Sequence, residues 1–113
     1  MAIIVKTENS SSLLQSIYLA IDNKKIHTWT YIVFEGKRYL THSPEQWIKK
    51  AYLLPEVYDG ELRFGIVPPR DQRIADETRG VYHGRFVEML MGHFRTQFSV
   101  ASATSQNFVP DIS

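Results

Sequence analysis

Apolar residues recur along this chain with two different periods, and the switches between them mark out its elements. Ala2-Ile3-Ile4-Val5 is a short continuous apolar run ended by Lys6, which predicts a strand deep in a sheet. From residue 13 the spacing lengthens. Leu13, Ile17 and Ile21, with Leu14 and Tyr18 beside them, form one stripe of a helix. Asn9 to Ser12 offer several N-caps for it, Ser12 with Gln15 matching the capping-box spacing, and Asp22-Asn23-Lys24-Lys25 ends it.

Residues 26–34 and 37–42 are rich in β-branched and aromatic side chains and flank Glu35-Gly36, the pattern of two strands joined by a tight turn. With those two residues as the loop, Phe34 faces Lys37, Ile32 faces Tyr39, Tyr31 faces Leu40 and Trp29 faces His42. Trp29, Tyr31, Val33 and Leu40 then share one face, and Ile32, Phe34 and Tyr39 share the other. Both faces carry large apolar side chains, so something must cover each of them. Trp29, Tyr31 and Leu40 are expected in the core under a helix.

Ser43-Pro44-Glu45-Gln46 reads as a helix start, with a serine N-cap, proline at the first helical position and glutamine three residues past the cap. A helix is expected from about Pro44 to Leu53, pairing Trp47 with Ala51 and Ile48 with Tyr52, and Pro55 stops it. Asp59-Gly60 signals a turn, and Leu62, Phe64 and Ile66 alternate along a strand over 61–67. After Pro68-Pro69, the longest helical stretch runs from about Asp71 to Arg95. Its stripe is Tyr82, Phe86, Leu90 and Phe94, widened by Val87, Met89, Met91 and His93. Gly80, Gly84 and Gly92 weaken it by up to ~1 kcal/mol each relative to alanine, which predicts a start near Thr78 or a kink near Gly84. Gly80 and Gly84 also have the spacing that lets a neighbouring element approach closely. Residues 97–104 read as a weak strand.

The order of the first six elements matches a ferredoxin-like βαββαβ arrangement, an α+β fold with an antiparallel sheet and helices on one face, followed by a long C-terminal helix and an extra strand. One domain is expected over residues 1–105, with 106–113 as a loose tail.

Composition narrows the functional classes. The 113 residues include 13 Lys and Arg against 12 Asp and Glu, a net charge of +1 that gives no support to a general polyanion binder. Lysines lie at or before Lys50, and arginines other than Arg38 at or after Arg63, so the second half carries the side chain better shaped for carboxylates and phosphates. With no cysteine, thiolate metal sites, thiol nucleophiles and disulfides are excluded, which suits the cytoplasm. The apolar opening is too short for a membrane span. Nucleic-acid binding on the sheet is disfavoured: the known aromatic platform needs a basic residue, glycine and an aromatic in sequence, and Lys37-Arg38-Tyr39-Leu40 lacks it.

No cofactor is implied, because phosphate loops of the Walker and dinucleotide types are missing. No Gly-x-Ser-x-Gly nucleophile elbow occurs. Nor is a metal site: His83 and His93 are ten apart, about 80° from alignment on a helix, and His27 with His42 has no third ligand to nominate. Whether the protein is an enzyme stays undecided at this level.

Two surfaces remain. Arg70, Arg73, Arg79, Tyr82, His83 and Arg85 fall close together with Asp71, Asp76 and Glu77, straight after a Pro-Pro break. If they line a pocket, the arginines hold a small anion and His83 or Tyr82 moves a proton. The bland counterpart is a solvated helix face laced with weak ion pairs. The other surface is apolar: Ile32, Phe34 and Tyr39 on the sheet's second face, with Phe86, Leu90 and Phe94 on the long helix, exceed what one small sheet face needs. The expectation is a small binding or interaction module acting as a homodimer through these residues, with a small enzyme or anion binder built on Arg70 to Arg85 as the alternative.

Overall fold

Period-two alternation governs more of the chain than the sequence suggests. The computed structural model describes residues 2–105, arranged as β1 (Ala2–Lys6), α1 (Ser10–Asp22), β2 (Trp29–Phe34), β3 (Lys37–His42), β4 (Tyr52–Tyr58), β5 (Glu61–Val67), α2 (Asp76–His93) and β6 (Val100–Ala103). The six strands form one antiparallel sheet in the order β2-β3-β4-β5-β1-β6. The expected tail, residues 106–113, lies outside the described residues.

The β2–β3 hairpin has the expected register, from Trp29 opposite His42 to Phe34 opposite Lys37. Glu35 and Gly36 both take positive φ, 51° and 78°, as a two-residue turn matched to strand twist requires. Asn9 is the N-cap of α1, accepting a hydrogen bond from the Ser12 amide at 3.0 Å. At the other end, Lys24 enters the left-handed region and the amides of Lys24 and Lys25 bond back to Ile21 and Ala20.

The expected helix over 44–53 does not form, and this is the main correction. Its start signal produces one turn, in which the Trp47 and Ile48 amides bond to the Pro44 carbonyl at 2.8 and 2.9 Å. Lys49 then takes a φ of 60° and ends it. Ala51 and Leu53, both fully buried, are drawn into the core, and the chain continues as β4. Burial of those two side chains outweighs the local helix signal. Pro55 is tolerated because of its parity. Leu54 and Glu56 turn their backbone groups to β5, so Pro55 presents its missing donor towards β3, beyond the single Leu40–Leu53 pair.

The ferredoxin-like order is therefore replaced. That arrangement needs a helix between the third and fourth strands; here a loop stands there, and β2 to β5 run as an uninterrupted meander. β1 closes the sheet between β5 and β6. The α+β class, the antiparallel sheet and the last strand stand as expected.

Both helices lie on one face. Phe86 of α2 packs at 4.5 Å from Phe64 and 5.0 Å from Trp29, ring centre to ring centre, while Tyr18 of α1 meets Tyr31 at 5.4 Å. Trp29, Leu40, Leu53, Leu62, Phe64, Ile66, Ile3 and Val5 form the floor beneath them. The long helix thus shares the first face with α1 and does not cover the second. That second face, with Ile4, Ile32, Phe34, Tyr39, Tyr52, Leu54 and Val67, carries no helix or strand among the described residues.

Candidate functional site

The arginine-rich segment is divided by the geometry of α2. Arg70 and Arg73 precede the helix and are exposed. Within it, residues three or four apart share a side and neighbours in sequence do not. Tyr82 therefore turns inward: it is fully buried, its hydroxyl donates to the Trp47 carbonyl and lies 3.0 Å from the Thr41 hydroxyl. Arg85 turns outward to Glu88 at 3.2 Å. Only Arg79 and His83 stay together, one turn apart.

Those two line a pocket of about 310 Å3 between the first turns of α2 and the end of β6, which Asp76, Thr104 and Ser105 complete. His83 is 8% exposed. Its Nδ1 lies 2.7 Å from the Arg79 carbonyl, which can only accept, so Nδ1 carries the proton and Nε2 bears a lone pair. Nε2 is buried without a hydrogen-bond partner among the described residues, and so is Nε of Arg79. The Arg79 guanidinium reaches Asp76 through Nη1 at 3.6 Å. Burial lowers the basicity of His83 below the ordinary histidine value, with the Arg79 carbonyl acting against it. The ring is neutral near neutral pH, and the site offers a cation beside an unfilled acceptor.

A wider concavity of about 700 Å3 borders the start of α1, lined by Lys6, Glu8, Asn9 and Gln97 among others. Some of its polar groups are engaged already: Thr7 donates to the Gln97 carbonyl at 2.6 Å, and the Asn9 side chain caps α1. Gly80 and Gly84 are exposed, and an added Cβ on either would meet nothing within 4 Å, so no element among the described residues uses their spacing for close approach.

The residues expected at an interface also divide. Phe86 and Leu90 are fully buried and Phe94 is 5% exposed, all within the chain's own core. Ile32 and Tyr39 are half-buried on the open face, Tyr39 edge-on to Tyr52 at 6.2 Å. Phe34 is 58% exposed and Val33 beside it 64%. Both belong to β2, an outer strand of the sheet. In a two-residue hairpin the pair flanking the loop exchanges both ladder bonds, so Thr30, Ile32 and Phe34 turn their backbone groups to β3, while Tyr31 and Val33 turn theirs outward. The significance of β2 as an edge was not readable before the strand order was known.

No helix among the described residues is long and apolar enough to cross a membrane. Comparison with protein-family models, curated proteins and solved structures finds no match.

Proposed function

We propose that the protein is a small interaction module that works as a homodimer, joined by antiparallel pairing of β2 with β2 of a second copy and by the neighbouring open face around Phe34. The observation that carries this is the character of the edge. β2, Trp-Thr-Tyr-Ile-Val-Phe, is six residues long and contains no charged residue and no proline, the devices that usually blunt an outer strand. The opposite edge, β6, is only four residues long. A two-fold through Ile32 sets Tyr31 opposite Val33 of the second copy, joins the outward backbone groups into a ladder and brings no like charges together. It also sets Val33 beside Tyr31 and Phe34 beside Thr30 of the second copy, which shields the two most exposed apolar side chains of β2.

Light scattering across a dilution series tests the proposal. The expected result is a mass of about twice the 13.1 kDa chain that falls with dilution, and a monomer at every concentration for Val33→Lys. Val33 is largely exposed, so the variant keeps its fold, verified by an unchanged melting curve under dilute conditions. A wild-type mass near 13.1 kDa into the millimolar range overturns the homodimer.

A further inference from the structure

The Arg79–His83 pocket has a chemical specificity that its two orphaned atoms define. Among the described residues, Nε of Arg79 is a buried donor without an acceptor, and Nε2 of His83 is a buried acceptor without a donor. Both side chains line the same cavity. Leaving polar groups buried and unpaired is costly, so an occupant that serves both at once gains twice. Such an occupant must present an anionic oxygen to the guanidinium and an O–H to the imidazole.

We propose that this pocket binds dihydrogen phosphate, with one phosphate oxygen accepting from Arg79 and one phosphate hydroxyl donating to Nε2 of His83. Asp76, the carboxylate at the rim, reinforces the selection. It disfavours a fully deprotonated anion and accepts from a second hydroxyl, while Thr104 and Ser105 supply further hydroxyls. Sulfate has the same shape and size class but carries no proton near neutral pH, so it sets a lone pair against the lone pair of His83. A site built to receive a hydrogen bond rejects a ligand that lacks the donor. The Asp76 carboxylate and the Arg79 guanidinium are the charged side chains lining the pocket; residues 103–105 contribute none.

The test is titration calorimetry of the full chain with sodium phosphate and with sodium sulfate at matched ionic strength near neutral pH. Saturable binding of phosphate is expected, with sulfate weaker by about tenfold or more. Arg79→Ala should lose the phosphate heat, and His83→Phe should bring the two anions to equal, weak affinity. Because His83 is buried, Asp76→Asn provides a second variant at an exposed position: it should narrow the gap between the anions by strengthening sulfate. Equal binding of phosphate and sulfate by the wild type overturns the proposal, as does the absence of phosphate binding at millimolar concentration. The site shares no residue with the β2 edge, so its failure and failure of the homodimer are read separately.

Discussion

The Tyr82 hydroxyl donates to the Trp47 carbonyl, which ties α2 to the loop between β3 and β4 at the place where a helix was expected. The same hydroxyl lies 3.0 Å from Thr41, whose own oxygen accepts from the Lys49 amide at 3.0 Å. One tyrosine thus closes a small buried network that holds the turn at Lys49.

Tyr82→Phe should retain the ring packing and leave the Trp47 carbonyl without this donor. The expected loss is about 1–3 kcal/mol, read as a lower urea midpoint with an unchanged slope. A change of a few tenths would mean that water replaces the phenol and the network does not hold the loop.

Gly84 lies inside α2 and Gly92 in its last turn, and an added Cβ on either meets nothing within 4 Å among the described residues. Alanine at either should stabilise the chain by about 0.5–1 kcal/mol, because it reduces the backbone entropy lost on folding. Differential scanning calorimetry on each single variant checks this. A lowered melting temperature would show that Cβ collides with something outside the isolated chain, and that the exposed strip of α2 is covered in use.

Stability should fall on acidification in two stages. Burial lowers the basicity of His42 and His83 below the ordinary value of 6.5, so the unfolded chain takes up protons first. Their contribution is complete above that value and is lost as pH drops through the folded values. Hydrogen bonds from Lys6 and then Arg63 hold the Glu61 carboxyl below its ordinary 4.5, so its contribution is present above 4.5 and lost at still lower pH. Urea midpoints measured at about pH 7, 5 and 4 should decline stepwise. His42→Gln should flatten the first step, and an identical slope in that variant would assign the step elsewhere.

The hairpin was legible because two signals agreed, aromatic and β-branched runs on either side and a glycine in the loop. The stretch from Pro44 to Leu53 carries a helix start that yields a single turn, and its i,i+4 pairs are accidental. Ala51, Leu53 and Val57 also alternate, and that period-two signal was hidden by Pro55, which a strand admits only where its missing donor faces no partner. The arginine cluster is divided for a related reason. Tyr82 and His83 are adjacent in sequence but about 100° apart on a helix, so one joins the core network while the other lines the pocket. The i,i+4 relation of Arg79 and His83 was the part that geometry could carry forward. The membership of the second face, Ile32, Phe34 and Tyr39, follows from the hairpin register, while its lack of cover within the described residues and the isolation of β2 at the edge depend on where the helices pack and on strand order.

The position of β1 has a consequence for synthesis. β1 is made before both of its partners, since residues 2–6 pair with residues 61–65 on one side and 100–103 on the other. The meander from β2 to β5 can assemble from local contacts as it emerges, whereas β1 has no strand partner until β5 has been made. Its apolar Ile3 and Val5 stay uncovered for that interval. β1 thus waits for the end of the meander before its first partner exists, and the nascent chain must keep it from pairing elsewhere until then.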